Sequence, residues 1–197
     1  MVEEAKIETN LVVMRGQPVH MGHIRLLDTA MEERPVVTVL GSIQEVGTSR
    51  NPHTYSERKK QLKNYFKSKW DRIFVLGMAD TFSLDWPYRV LEKIQRVAPQ
   101  YEIVKVYGGT EYDVSWFQSM GLEIEILGRN DPSFPYVSAS MVRDMLMYKD
   151  ARWMEHVPCC NWRMVAKKFN RLDMLEGLEC IDEGSIGDEG SLDDRIA

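Results

Sequence analysis

Short apolar runs alternate with helical patterns along most of this chain, and that alternation restricts its fold more than any other feature. The apolar runs are residues 10–15 (NLVVMR), 35–40 (PVVTVL), 72–76 (RIFVL), 101–107 (YEIVKVY) and 122–127 (LEIEIL). Between them lie stretches with apolar residues at three- and four-residue spacing. Residues 23–33 carry Ile24, Leu26, Leu27, Ala30 and Met31. Residues 56–69 carry Leu62, Tyr65 and Phe66. Residues 86–97 carry Val90, Leu91, Ile94 and Val97. Residues 111–120 and 138–148 also read as helices, and helical sequence continues to about Leu172. Strand and helix in strict alternation imply right-handed βαβ units. The expected fold is α/β, a Rossmann-like doubly wound parallel sheet of about five strands with C-terminal helices. Ligands in such sheets bind beyond the carboxyl ends of the strands, so the loops after the strands are where function is sought.

The chain has 197 residues, 44% of them hydrophobic, enough for one well-packed domain and short for two. That domain is expected over residues 1–175. Residues 176–197 change character: they are acidic and rich in Gly and Ser, with too little apolar surface to offset ordering entropy. They read as a disordered tail. A net charge of −5 gives no global basic field for nucleic acid. No apolar run reaches the ~18–20 residues of a membrane span, and the polar N-terminus is no signal peptide. The cysteines are Cys159, Cys160 and Cys180. Their odd number, with no metal spacing, reads as a reduced, cytoplasmic protein.

The first loop carries the most specific chemistry. Arg15, Gly16, Gln17, Pro18, His20, Gly22 and His23 lie between the first strand and the first helix. A helix start offers free N–H groups and a positive dipole end. Gly22 permits close backbone approach. Two histidines three apart can face one anion, each as a donor and each able to become cationic, while Arg15 adds a permanent charge. His-x-x-His also suits zinc, but no third ligand is nearby. Further on, Ser138 occupies an N-cap position, followed by Ser140 and Arg143. The Arg143 guanidinium can clamp phosphate oxygens in a fork. Gly108-Gly109 after the fourth strand suits either a ligand's close approach or a plain turn.

These motifs, in this order, resemble the H-x-G-H nucleotidylyltransferase superfamily. VSASMVR is similar to that superfamily's I-S-x-x-x-x-R. The first loop resembles G-R-F-Q-P-x-H-x-G-H of the archaeal-type nicotinamide mononucleotide adenylyltransferases, with Met14 in place of a glycine and Gly16 in place of an apolar residue. The loop after the second strand is similar to G-S-A-Q, N/D-P-F-T and G-E-R of the same branch. Gly41, Ser42, Gln44, Arg50, Asn51, Pro52, Thr54, Glu57 and Arg58 match, and His53 replaces phenylalanine. The resemblance runs from about Asn10 to Asn170.

The resemblance implies adenylyl transfer from ATP to nicotinamide mononucleotide, giving NAD and pyrophosphate. His20, His23, Arg143, Arg15 and Arg50 are then the catalytic set around the phosphates. Gln17, Gly22, Ser42, Gln44, Asp80, Trp86, Gly108, Gly109, Ser138 and Ser140 are the implied substrate-binding set. Asp80 and Trp86 resemble residues that hold the nicotinamide ring: an indole face suits a flat cationic ring, and a carboxylate or backbone acceptor suits the amide. Core packing is the alternative for Trp86. Mg²⁺ is implied with ATP, carried by phosphate oxygens and water. Relatives of this type assemble as homo-oligomers, so one is expected here. Three rivals remain open at this point. One is a sister transferase acting on nicotinate mononucleotide, phosphopantetheine or a choline-type phosphate. Another is a nucleotide-binding regulator without turnover. The third is an aminoacyl-tRNA synthetase fragment, which no basic surface or K-M-S-K-S-like loop supports.

Overall fold

In the computed structural model of the chain, residues 5–178 are described, except 82, 129, 130, 132 and 133. Five strands form one sheet in the order β3-β2-β1-β4-β5. They are β1 (Ile7–Met14), β2 (Val36–Leu40), β3 (Ile73–Gly77), β4 (Tyr101–Gly108) and β5 (Glu123–Ile126), and every neighbouring pair is parallel. The helices are α1 (Met21–Ala30), α2 (Tyr55–Tyr65), α3 (Trp86–Val97), α4 (Glu111–Gln118), α5 (Ala139–Met147), α6 (Trp153–His156) and α7 (Trp162–Lys168). The expected α/β sheet with C-terminal helices is the fold observed.

Alternate residues of each strand supply opposite faces of the sheet. Val12, Val36 and Leu40 point to one core with Leu27, Met31, Leu62 and Phe66. Leu11, Val37, Val39 and Val106 point to the other with Val90, Ile94 and Phe117. All five residues of β2 are buried, as expected for a strand covered on both faces. A third cluster, Val142, Leu146, Trp153, Val157 and Val165, joins the C-terminal helices to one another.

Several boundaries differ from the sequence reading. β1 begins at Ile7, because Ile7 N–H donates to Gln100 O and the strand pairs with β4 from Tyr101 onward. That contact is distant in sequence and carries no local signal. α1 begins at Met21, two residues early, with His20 as its N-cap. α2 stops at Tyr65, and a 3-10 turn takes Lys67–Arg72. The acidic stretch from 179 to 197 lies outside the described residues.

Strand order reverses at β1, which has β2 on one side and β4 on the other. The carboxyl ends of β1 and β4 therefore form the crevice where such sheets bind ligands.

Candidate active site at the carboxyl ends of β1 and β4

A cavity of about 890 Å³ opens at that crevice, walled by the loops after β1, β3 and β4 and by the start of α5. Its size lies in the upper part of the range for small-molecule sites. His20, His23, Arg15, Arg50 and Arg143 all line it, as do Gly22, Asp80, Trp86, Gly109, Ser138 and Ser140. Residues far apart in sequence are thus brought to one space.

The two histidines sit at the start of α1, His20 as N-cap and His23 three residues into the helix. Their rings stack with centroids 3.8 Å apart. Two positive charges at that separation repel. The His20 N–H donates to His23 Nδ1 at 3.3 Å. A His23 that keeps this bond is neutral and carries its proton on Nε2. The two rings thus form one stacked pair facing the cavity. Gly22 makes the stack possible: a Cβ there would meet the His20 ring at 3.1 Å and Val137 Cγ1 at 3.3 Å.

Arg143 reaches the cavity from the second turn of α5. Ser138 caps that helix by accepting from Met141 N–H at 3.1 Å. The Arg143 fork is preset: Nη1 donates to Gln17 O at 2.7 Å and Nη2 to Ser140 Oγ at 3.0 Å. Burial holds the guanidinium below its ordinary value. Asp144 works against that, and Arg15 and Arg50 add to it. The arginines therefore converge on one region without carboxylates to neutralise all of them. Arg15 faces Asp80 at 3.6 Å.

Four of the expected substrate-binding residues have other work. The Gln17 side chain is fully buried and clamps the backbone of His53, donating to His53 O at 2.8 Å and accepting from His53 N–H at 2.9 Å. Only Gln17's remaining surface reaches the cavity. Ser42 does not line the cavity. Its N–H donates to Asp80 Oδ1 at 2.9 Å and its hydroxyl donates to Asp80 Oδ2. Gln44 pairs with the Asp80 backbone, accepting from its N–H at 3.1 Å. Both residues hold Asp80 in place. Gly108 is required by helix packing, since a Cβ would lie 2.3 Å from Val114 Cγ1. Gly109, by contrast, lines the cavity, and a Cβ there would meet only Asp113 Oδ2, at 4.0 Å. Trp86 is part of the core and also faces the cavity. Its indole donates to Ala79 O at 3.2 Å.

Sequence reasoning missed Tyr112 and Trp116, which line the cavity from α4. Their four-residue spacing on the helix after Gly108-Gly109 was the available signal. It gave Arg58 only as a motif match and passed over Gln61, and both are wholly buried. Among the described residues, no group of three or more His, Cys, Asp or Glu is placed to hold a metal. Of the cavity's carboxylates, Asp80 is taken by Ser42 and Arg15, and Asp113 accepts from the Thr110 hydroxyl at 2.7 Å. No helix among the described residues is long and apolar enough to cross a membrane.

The chain belongs to the cytidylyltransferase-like family, whose profile matches residues 16–176. Within that class it is similar to proteins named nicotinamide-nucleotide adenylyltransferase. The one from Thermococcus sibiricus is 31% identical over 156 residues, covering 75% of this chain and 77% of that one. The one from Saccharolobus solfataricus is 27% identical over 151 residues, covering 73% and 81%. Among solved structures, a bifunctional NMN adenylyltransferase/ADP ribose pyrophosphatase from Francisella tularensis superposes with a TM-score of 0.61 at 18% identity. That match covers 73% of this chain but only 43% of the longer bifunctional one. A nicotinic acid mononucleotide adenylyltransferase from Plasmodium falciparum gives 0.54 at 9% identity, covering 85% of this chain and 96% of that one.

Proposed function

We propose that this chain is an enzyme of NAD biosynthesis that transfers AMP from ATP to nicotinamide mononucleotide, releasing NAD and pyrophosphate. The observation that carries the reading is convergence. One cavity holds the stacked histidines, the N-termini of α1 and α5, three arginines, and the aromatic faces of Trp86 and Trp116. The similarity to relatives named for this activity supports it.

In the reaction, an oxygen of the mononucleotide's 5′-phosphate attacks the α-phosphorus of ATP. The bond from that phosphorus to the bridging β-phosphate oxygen breaks, and pyrophosphate leaves with the electron pair. The attacking phosphate is already an anion, so no protein nucleophile or strong base is required. Catalysis is positioning plus charge stabilisation. The His23 Nε2–H and His20 contact the triphosphate beside the first turn of α1, where backbone N–H groups favour anions. Arg143, with Ser138 and Ser140 at the start of α5, holds the transferring and leaving phosphates. Arg15 and Arg50 complete the electropositive lining. Mg²⁺ enters with ATP as part of the substrate, held by phosphate oxygens and water.

The part of the cavity beside Trp86 takes the nicotinamide, adjoining the phosphates, since Arg15 and Asp80 are 3.6 Å apart. Trp86 supplies a stacking face. Asp80 faces the carboxamide, whose NH₂ can donate to it, and disfavours the carboxylate of the acid analogue by like charge. Gln17, Ser42, Gln44 and Gly108 act by holding these groups in place. The protein works in the cytoplasm as a homo-oligomer and takes no nucleic acid, in keeping with its net charge of −5.

The test is pyrophosphate release from Mg-ATP with nicotinamide mononucleotide, nicotinate mononucleotide and phosphopantetheine as competing acceptors. Turnover fastest with nicotinamide mononucleotide supports the assignment. Preference for the acid form contradicts the role of Asp80, and turnover with phosphopantetheine alone contradicts the acceptor altogether.

A further inference from the structure

At the carboxyl edge of a parallel sheet the last backbone carbonyls run out of ladder partners, and any left bare beside a bound phosphate would add to the negative charge there. Here several of those carbonyls are covered by cations from below. Arg58 Nη1 donates to Arg15 O at 2.6 Å and to Gly41 O at 2.7 Å, the positions that follow β1 and β2. Its Nε donates to Thr54 O at 3.3 Å. Lys93 Nζ donates to Gly77 O at 2.9 Å, at the end of β3.

Arg58 differs from the arginines of the cavity in being fully buried. It lies one residue layer beneath the lining: a Cβ on Gly16 would be 4.0 Å from its Cδ, and Arg15, Gly16 and Gly41 all line the cavity. Among the described residues no carboxylate forms an ion pair with it, and its Nη2 has no hydrogen-bond partner. Asp80, whose charge favours the Arg58 cation, is engaged with Ser42 and Arg15. Burial lowers the guanidinium to about 10, with Asp80 and Tyr55 opposing and Arg15 adding slightly to the fall, so it stays charged at neutral pH.

A buried cation without a directly paired carboxylate carries a desolvation cost, which its bonds to three carbonyl oxygens and the Asp80 charge offset in part. We propose that Arg58 is a positioning residue for the nucleotide's phosphates, masking the carbonyls of Arg15 and Gly41 and supplying an unneutralised positive charge beneath the triphosphate. The inference rests on the cavity being the ATP site. It extends that reading to a residue that touches no substrate. The charge is held by the N-terminal part of α2, which the Thr54–Glu57 capping pair fixes through bonds of 2.8 and 3.1 Å.

The experiment measures the dissociation constants of adenosine, AMP, ADP and ATP by titration calorimetry for the full-length wild type, Arg58→Gln and Arg58→Lys. A residue that acts on phosphates imposes a penalty that grows with ligand charge. Arg58→Gln is expected to weaken ATP by at least ~10-fold, an effect of ~1.4 kcal/mol, and to weaken AMP less. Adenosine is expected to stay within about twofold. Arg58→Lys keeps the charge but can reach only part of the carbonyl set. It is expected to fall between wild type and Arg58→Gln. It also carries the test alone if Arg58→Gln does not fold: several-fold weaker ATP binding with unchanged adenosine binding supports the proposal. Equal losses for adenosine and ATP, or no loss for ATP, overturn it. A wild type that binds neither AMP nor ATP overturns the ATP-site reading instead.

Discussion

On the wall formed by residues 15–23, main-chain and side-chain groups are tied to distant parts of the chain. Gln17 is clamped to His53, Val19 N–H donates to Gln61 Oε1 at 2.9 Å, and Arg143 holds Gln17 O. Gln61 is itself tied onward, since Asn161 Nδ2 donates to its carbonyl at 3.0 Å. Beyond Asp80, which Ser42, Gln44 and Arg15 hold, the side formed by Leu84 and α4 has few such ties. Tyr112 is 78% exposed and Leu84 is 76% exposed. Trp116 donates only to Tyr112 O, within its own helix. The difference matches the two tasks proposed for the cavity. Phosphoryl transfer depends on donors held where charge develops, so the phosphate wall is braced. Stacking on a flat ring tolerates sideways displacement, so the aromatic wall needs less support.

The comparison breaks most sharply at His53, which sits inside the bracing. It is fully buried, and desolvation lowers it to about 4 from the ordinary 6.5. Glu57 opposes that shift, while Lys168 and Arg58 add to it. Its Nδ1 lies 3.2 Å from Gln61 Nε2. The folded state binds the proton less readily than the unfolded one. His53 therefore contributes stability that is complete above pH 6.5 and is lost as pH falls towards 4, by about 3 kcal/mol in all. Urea unfolding of wild type and His53→Phe across pH 7 to 4 should show this component in the wild type only. Parallel curves would mean that His53 titrates alike in both states.

His23→Ala comes next. It should lower kcat by ~10²-fold or more, with an unchanged melting temperature. An unchanged kcat contradicts the role given to His23, and a large fall in melting temperature assigns the loss to the fold. On the other wall, Trp86→Ala should raise KM for nicotinamide mononucleotide by about tenfold while moving KM for ATP little, a cost of the size expected for a lost stacking contact. Equal shifts for both substrates would show damage to α3 instead. The smallest effect is expected at Tyr112→Ala: stability within about 0.5 kcal/mol of wild type, because so little of the side chain is buried. A larger loss by thermal melting would show that the aromatic wall is braced as well.

What the sequence made legible follows from the range of the forces involved. Strand and helix alternation is local, so all five strands and the exact span of α3 could be read from it. Ser138 as an N-cap is local too, and so is the helix start beside His20 and His23. The start of β1 depends on Gln100 and Tyr101, and no residue near Ile7 announces it. The site divided in the same way. A motif names the residue types present but not which atom of each faces the ligand. The sequence therefore did not show that Gln17 bonds to His53, that Ser42 and Gln44 bond to Asp80, or that Gly108 packs against Val114. Arg58 was visible only as a match in a loop, since nothing local says that a charged helix residue turns inward under the sheet edge.

Adenylyl transfer to nicotinamide mononucleotide at the braced wall is tested most directly by NAD formation itself. Purified full-length protein with Mg-ATP and nicotinamide mononucleotide, followed through a coupled dehydrogenase, should produce NAD, with the rate falling by ~10²-fold or more in His23→Ala. No NAD from a wild type that binds ATP, or NAD formed equally well by both proteins, would contradict the account.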